Sequence, residues 1–211
     1  MDAIIMAGGF GSRLGMGEKP CVELLGKPLI SYVIDTLMKT ESIGDIYVAV
    51  SPATPKTASY VEEEYEGKVH VIPTGGGNYV GDMVYAVKAA CIGDPLMILM
   101  SDLPLLTPDL LEKVVSEYEV CGKPAMSIFT PLSVCKSLGI RPDTVFNWEG
   151  GGNLIVPSGV NILDGKDVDN EQEYVSLILD DIEFALNINT VDDLKRCKKM
   201  LLERNAGSIK N

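Results

Sequence analysis

Residues 1–20, MDAIIMAGGFGSRLGMGEKP, contain a short apolar run followed by a loop with five glycines and two cations, Arg13 and Lys19. An apolar run of this length predicts a β-strand that is buried on both faces. Glycines let the backbone come close to a ligand and present its N–H groups, and a helix N-terminus that follows adds partial positive charge. The stretch therefore predicts the first strand of an α/β sheet and, directly after it, a loop suited to a phosphate group.

Alternating apolar runs and amphipathic patterns extend this prediction along the chain. Further buried strands are predicted at residues 45–50, 68–72, 95–100 and 124–129. Helices are predicted at residues 28–39, 54–65, 80–91, 107–118 and 190–205. This alternation predicts an α/β fold with a doubly wound, mostly parallel sheet and helices on both faces. Because 211 residues are enough for one well-buried core, we expect a single domain over residues 1–211.

The segment 131–165 departs from this alternation. Its larger part is the Gly/Pro-rich passage RPDTVFNWEGGGNLIVPSGVNILDG at residues 141–165, which is too long for a tight connection. The segment forms either a floppy surface loop or a small subregion laid over the site. Strand-like runs at residues 153–156 and 159–163 favour the subregion.

The overall charge and composition exclude several classes of partner. The chain has 18 basic and 30 acidic residues and a formal net charge of -12, which argues against a broad surface for nucleic acid or anionic membranes. No apolar run approaches the roughly 18 residues of a membrane span. Five widely spaced cysteines and one histidine form no zinc motif and indicate reduced thiols. We expect a cytoplasmic protein without a membrane span. A homodimer is compatible with the sequence, which does not predict the oligomeric state.

Spacing excludes two common phosphate-binding loops for the opening stretch. A dinucleotide fingerprint needs G-x-G-x-x-G, but the pattern here runs Gly9, Gly11, Leu14, and the second strand ends in Ser51 instead of a ribose-binding acid. A P-loop needs Ser or Thr after Gly-Lys, but none of the four Gly-Lys pairs is followed by either residue. The glycine loop therefore belongs to neither class.

Two other predicted strands are also followed by candidate ligand-binding residues. Ligands of open α/β sheets lie beyond the carboxyl ends of the strands. Asp102 directly follows strand 95–100, where a carboxylate can hold Mg²⁺ against phosphate oxygens. Asp is also common in turns and helix caps, so a structural role is the alternative. Residues 73–82, PTGGGNYVGD, again place glycines between a strand and a helix, and a plain turn is the alternative there.

The pattern A-G-G-x-G-S-R-L-G, followed by Glu-Lys-Pro, resembles the MobA-like nucleotidyltransferase family, whose members join a nucleoside triphosphate to a phosphorylated acceptor. The resemblance implies a Rossmann-like nucleotidyltransferase fold in which Arg13, Lys19 and Asp102 are catalytic, with both cations on the phosphates. It implies nucleotide contacts from the first loop through Ala7, Gly8, Gly9, Gly11 and Ser12. It implies base and ribose contacts from the second loop through Thr74, Gly75, Gly76, Gly77, Tyr79 and Asp82. It also implies Mg²⁺ held by Asp102 and Asn189, although a purely structural capping role for Asn189 stays equally open.

Four stretches extend the resemblance over nearly the whole chain. They are residues 1–20, SPATPKT at 51–57, VPSGVNIL at 156–163 and FALNINTVDDLK at 184–195. They are similar to an archaeal-type branch of the family that acts in cobalamin biosynthesis, which implies GTP and adenosylcobinamide phosphate as substrates. The same branch implies that residues 141–161, with Phe146 and Trp148, lie on the acceptor side.

Two alternatives to this branch stay open. The segment SDLPLL at 101–106 is closer to the relatives that serve the molybdenum cofactor, so the acceptor is alternatively molybdopterin or a sugar phosphate. A catalytically silent nucleotide-binding module is the second alternative. The presence of Arg13, Lys19 and Asp102 together argues against it, since a sensor does not need the metal-binding acid.

Overall fold

Apolar strands form one mixed sheet in the computed structural model, which describes residues 1–9, 11–148 and 152–208. In chain order the strands are β1 (Asp2–Met6), β2 (Glu23–Leu24), β3 (Lys27–Pro28), β4 (Ile46–Val50), β5 (His70–Pro73), β6 (Pro95–Met100), β7 (Ala125–Pro131), β8 (Phe146–Trp148), β9 (Asn153–Asp164) and β10 (Tyr174–Ile178). The helices are α1 (Leu29–Leu37), α2 (Pro55–Glu64), α3 (Tyr79–Ala89), α4 (Pro108–Cys121), α5 (Leu132–Ser137) and α6 (Val191–Ser208). The strands and helices predicted from the sequence are confirmed, with small shifts at their ends.

The strand order of the main sheet is β10-β7-β9-β6-β1-β4-β5, with β8 paired to β9, among the described residues. Strand β1 pairs in parallel with β4 and β6, β4 with β5, and β7 with β10. Strand β9 runs antiparallel to β6, β7 and β8. The expected mostly parallel sheet is therefore confirmed, with β9 as an antiparallel strand in its middle.

Strand β9 changes the interpretation of segment 131–165. The strand-like runs 153–156 and 159–163 are one strand of 12 residues inside the sheet. Pro157 and Gly159 interrupt its apolar pattern, and the register against β7 shifts between Ser127 and Phe129. Gly159 has φ of +83°, and a Cβ on it would lie 2.9 Å from the Cγ of Met100. The sequence predicted two pieces because a close backbone approach, which needs glycine, falls in the middle of one strand.

The core lies on both faces of the sheet, and alternate residues of β1 show this directly. Ile5 packs with the cluster that contains the buried residues of α1, α2 and α4. Ile4 packs with the cluster that contains the buried residues of α3. The carboxyl ends of the parallel strands β1, β4, β5 and β6 consequently open at one edge of the sheet. Among the described residues, no helix combines the length and the apolar character that crossing a membrane requires.

Candidate active site

The two glycine loops meet at this edge, on either side of Ser51. The Ser51 hydroxyl donates a hydrogen bond to the carbonyl of Gly8 at 2.9 Å. A Cβ added to Gly8 or to Gly76 would lie 3.1 Å from the Cβ of Ser51. Because β4 lies between β1 and β5, the loops that follow these three strands pack together only with small residues at the contact. The close approach explains why small residues stand at all three positions: Gly8, Gly76 and Ser51. Ser51 is the residue at the end of the second long strand, where a dinucleotide-binding fold has its ribose-binding acid.

Side chains of the second loop mainly hold the shape of that loop. The buried Thr74 hydroxyl donates to the carbonyl of Val50 at 2.9 Å. The Asp82 carboxylate accepts the N–H of Gly76 at 3.0 Å, and Asn78 caps α3 by accepting the N–H of Gly81 at 2.7 Å. Gly75 and Gly77 are exposed, so their backbone groups face solvent at the edge of the sheet. The base and ribose contacts predicted for this loop are thus more readily made by its backbone than by Thr74 or Asp82.

Tyr79 lies apart from the glycine contact. It is the first residue of α3 and is exposed. With Ser127, Asn161 and Tyr174 it lines a small cavity of about 290 Å³ beside β7, β9 and β10. Its predicted contact with a base or ribose stays a prediction.

The first glycine loop folds back over Lys19. Ala7 is buried, and its N–H donates to the carbonyl of Ala49 at 2.8 Å. Gly11 has φ of +59°, and a Cβ on it would lie 2.6 Å from the Cβ of Lys19. Gly9 and Ser12 are exposed. The loop therefore presents backbone to solvent while it packs directly against the lysine.

Lys19, Asp102 and Asn189 come together at the end of β6. The Lys19 ammonium forms an ion pair with Asp102 and donates to the amide oxygen of Asn189 at 2.7 Å. Asp102 is 2% exposed, and its Oδ1 has no hydrogen-bond partner within the described part of the chain. The Asp102 carbonyl accepts the N–H of Ile188 at 3.1 Å, which holds the segment before α6 against the end of β6. Residues far apart in sequence thus form one cluster of charges.

The cap of α6 is formed by the residues that follow Asn189. The Asp193 carboxylate accepts the N–H groups of Asn189 and Thr190 at 3.2 and 2.8 Å, and the Thr190 hydroxyl accepts the N–H of Asp193 at 3.2 Å. Thr190 and Asp193 therefore cap α6 reciprocally. The Asn189 side chain instead faces the two cations.

The donor atoms of this cluster suit a divalent cation. Mg²⁺ prefers oxygen ligands and is usually held by one or two carboxylates together with substrate phosphates and water. Asp102 offers a buried carboxylate oxygen without a partner, and Asn189 offers an amide oxygen beside it. The described residues contain no group of three or more His, Cys, Asp or Glu that could hold a metal ion. A metal in this cluster would therefore be held by Asp102 and Asn189 together with substrate phosphates and water.

Arg13 lies at the outer side of the same cluster. Its guanidinium donates to both oxygens of Asp143 at 2.7 Å and to the amide oxygen of Asn189 at 3.3 Å. The side chains of Arg13 and Asp143 are 55% and 59% exposed. Asn189 accordingly accepts hydrogen bonds from Arg13 and from Lys19. Asp143 was not predicted from the sequence, because nothing in its local pattern indicates a partner 130 residues earlier.

A cleft of about 770 Å³ extends from Arg13 between segment 139–144, residues 156–159 of β9 and the start of α6. Arg141 and Arg196 also line it. Trp148 lines a different cavity, of about 510 Å³, together with Leu132 and Lys136. The part of segment 131–165 that lines the cleft beside Arg13 is therefore 139–144 together with Val156, Pro157 and Gly159, whereas Trp148 lies at the other cavity.

Comparisons with known proteins indicate the family and the fold to which this chain is similar. A model of the MobA-like NTP transferase domain matches residues 3–132. The chain is 34% identical to an adenosylcobinamide-phosphate guanylyltransferase of Methanocaldococcus jannaschii, over 95% of this chain and 97% of that protein. It is 29% identical to a probable molybdenum cofactor guanylyltransferase of Thermococcus kodakarensis, over 59% of this chain and 57% of that protein. A 4-diphosphocytidyl-2C-methyl-D-erythritol synthase from Anaerococcus prevotii superimposes with a TM-score of 0.68 at 15% identity, covering 95% of each chain. That last likeness shows the shared fold.

Proposed function

The chain belongs to the MobA-like NTP transferase family and is a nucleotidyltransferase, and from this premise we propose that it moves GMP from GTP to adenosylcobinamide phosphate. The observation that carries the proposal is the similarity to the M. jannaschii guanylyltransferase over 206 residues. That similarity spans both the glycine loop and the cluster at Asn189. The similarity to the T. kodakarensis protein covers 126 residues, which is too short to include both. Similarity on the acceptor side therefore favours the cobinamide acceptor.

In the proposed reaction an oxygen of the acceptor phosphate attacks the α-phosphorus of GTP. The bond between the α-phosphorus and its bridging oxygen to the β-phosphorus breaks, and pyrophosphate leaves with that oxygen. The acceptor phosphate is ionised at neutral pH, so the protein needs no general base. Its main contribution is to position two anionic substrates and to stabilise the charge that accumulates on the departing group.

Lys19 and Arg13 are proposed to bind the β- and γ-phosphates, since both cations lie beside the exposed backbone of the first glycine loop. Asp102 and Asn189 are proposed to hold Mg²⁺. Bound there, the metal would supply positive charge to the phosphate oxygens and to the leaving pyrophosphate. Both cations are paired with acids in this structure, so a triphosphate has to replace the carboxylates of Asp102 and Asp143 as their partners.

The acceptor phosphate is proposed to bind in the cleft lined by segment 139–144. Arg141 is the favoured residue, because it lines the cleft and has no ion-pair partner within the described residues. Arg196, in contrast, pairs with Asp193 at 3.5 Å. A guanidinium without an acidic partner is available to a phosphate oxygen, and its planar fork suits that group.

Three further statements belong to the same proposal. Residues 1–211 form one nucleotidyltransferase domain, in which the parts of segment 131–165 that line the cleft serve the acceptor. The protein acts in the cytoplasm, which its five free cysteines support. The third concerns the oligomeric state: a homodimer is compatible with the sequence, and size-exclusion chromatography with light scattering measures it directly.

The test is the release of pyrophosphate from GTP in the presence of Mg²⁺ and a panel of phosphorylated acceptors. Release with adenosylcobinamide phosphate, and much less with molybdopterin or sugar phosphates, is expected. Release with a different acceptor alone would replace the proposed substrate. No release with any acceptor, despite GTP binding, would favour a nucleotide-binding module instead. Removal of metal with EDTA should stop the reaction, and Mg²⁺ should restore it.

A further inference from the structure

The residue before Lys19 makes an unexpected set of contacts. The Glu18 carboxylate accepts the backbone N–H of Lys56 at 2.9 Å, the backbone N–H of Thr57 at 2.7 Å and the hydroxyl of Thr57 at 2.8 Å. These partners belong to the stretch SPATPKT at 51–57, which resembles relatives of this chain but contains none of the predicted site residues. The stretch therefore has a structural partner in the phosphate-binding loop.

Helix α2 depends on Glu18 because its own N-terminus offers no side-chain cap. Thr54 stands at the N-cap position, but its hydroxyl is used within the turn, where it accepts the N–H of Ser51 at 3.0 Å. Pro55, the first helical residue, has no N–H. The first free donors of the helix are consequently the N–H groups of Lys56 and Thr57, and a carboxylate is the favoured partner at this positive end of the helix dipole. Glu18 supplies the cap from 38 residues earlier.

The same contacts restrain the backbone on both sides of Lys19. The Glu18 carbonyl accepts the N–H of Cys21 at 3.0 Å, which closes the tight turn Lys19–Cys21. The Cys21 thiol contacts the Thr57 hydroxyl at 3.3 Å, and burial raises the pKa of this thiol, so it stays protonated near neutral pH. Because the Thr57 hydroxyl donates to Glu18, the thiol donates to Thr57. Glu18 and Cys21 are thus both connected to one buried residue of α2.

Lys19 has little freedom between these restraints. Gly11 packs against its Cβ from the other side, and its ammonium contacts Asp102 and Asn189. A lysine side chain normally loses considerable rotamer freedom when it binds an anion. Restraint of the Lys19 backbone before the ligand binds lowers this entropy loss. It also holds the ammonium close to the position in which it contacts the ligand.

We infer that Glu18 is a positioning residue, which caps helix α2 and thereby holds Lys19 in place for the β- and γ-phosphates of the nucleotide. The inference rests on the proposed function for the role of Lys19. It adds that helix α2 and the stretch 51–57 support the phosphate-binding loop through their contacts with Glu18.

The test compares binding of GTP and GMP by isothermal titration calorimetry, without any acceptor. Glu18→Ala should weaken GTP binding about tenfold and change GMP binding less than twofold, because GMP lacks the phosphates that Lys19 holds. Thr57→Val keeps the backbone donor and loses the hydroxyl, so it should show a smaller effect in the same direction. Glu62→Ala removes an exposed acid of the same helix and should change neither affinity. Circular dichroism establishes that each variant is folded, and Glu18→Gln replaces Glu18→Ala if the alanine variant is not.

A double-mutant cycle separates positioning from a general loss of structure. In a Lys19→Ala background, Glu18→Ala should have almost no further effect on GTP affinity, because Glu18 acts through Lys19. Equal weakening of GTP and GMP, or additive effects in the cycle, would overturn the inference. If the wild-type protein binds another nucleoside triphosphate instead of GTP, the guanylyl donor is wrong, and Glu18 is tested with that triphosphate and its monophosphate. Binding of no triphosphate would overturn both.

Discussion

The two cations of the site have opposite surroundings. Lys19 is 15% exposed, pairs with the buried Asp102 and is held by Gly11 and the turn after Glu18. Arg13 is 55% exposed and pairs with Asp143 of segment 139–144, whose side chain is 59% exposed. The inner cation is thus built into the end of the sheet, whereas the outer one is attached to a surface segment.

The family similarity covers one half of the site fully and the other half in part. The MobA-like model covers residues 3–132, which include Arg13, Lys19 and Asp102 but neither Asp143 nor Asn189. Lys19 and Asp102, the inner half of the site, thus lie within the matched part. Of the outer half, Arg13 lies within it as well, but its partner Asp143 comes from the later residues that line the cleft proposed for the acceptor. In the proposed reaction the buried inner half stabilises the charge of the transition state, and the exposed outer half lies where acceptors of different structure would bind.

The largest effect is expected from Asp102→Ala, which removes the buried carboxylate of the inner half. Pyrophosphate release should fall about a thousandfold, because the charge handled there is greatest in the transition state. GTP binding should stay measurable by calorimetry. A variant that loses GTP binding but keeps its turnover would contradict this role for Asp102.

Lys19→Ala should lower both the rate of pyrophosphate release and the free energy of unfolding. Arg13→Ala should lower the rate and leave the free energy of unfolding nearly unchanged. Loss of Lys19 leaves the Asp102 carboxylate buried without its ion-pair partner, which costs about 3 kcal/mol in the free energy of unfolding. The exposed pair of Arg13 contributes under about 1 kcal/mol. Urea unfolding monitored by circular dichroism measures both values.

A second substitution checks the cause of the lost stability. Asp102→Asn in the Lys19→Ala background removes the uncompensated charge and should restore most of the stability, though not the activity. Equal stability losses in the Lys19 and Arg13 single variants would remove the distinction between an inner and an outer half.

Gly11→Ala tests the packing of the glycine loop against Lys19. The added Cβ would lie 2.6 Å from the Cβ of Lys19, in addition to the strain of a residue with φ of +59°. We expect GTP affinity to fall about tenfold, because the loop and the lysine must separate. Gly15→Ala is the matched control, since Gly15 has φ of +63° but nothing within 4 Å of the added Cβ. It should cost about 1 kcal/mol of stability from backbone strain and leave affinity nearly unchanged. Similar affinity losses in both variants would assign the effect to strain alone.

The candidate residues of the site could be named from the sequence, but several of the contacts that hold them in place could not. Asp102 and the first glycine loop follow predicted strands directly, and parallel strands bring such segments to one edge. Asp143 and the cap formed by Glu18 depend on contacts between segments 130 and 38 residues apart, which no local periodicity encodes. The same reason explains β9, since its place between β6 and β7 is set by pairing and not by its own pattern.

Asp143→Ala should give the smallest effect on GTP affinity. It tests whether Asp143 competes with GTP for Arg13. In this structure both carboxylate oxygens of Asp143 accept from one guanidinium nitrogen of Arg13, so Asp143 competes with a triphosphate for this nitrogen. An exposed ion pair is worth under about 1 kcal/mol, which limits the gain on its removal to about two- to fourfold in GTP affinity. Asp109→Ala, which removes an acid in the first turn of α4, corrects for the change in net charge. A loss of GTP affinity in Asp143→Ala would mean that Asp143 orients Arg13 for the nucleotide instead of competing with it, and the outer half would then be as preorganised as the inner one.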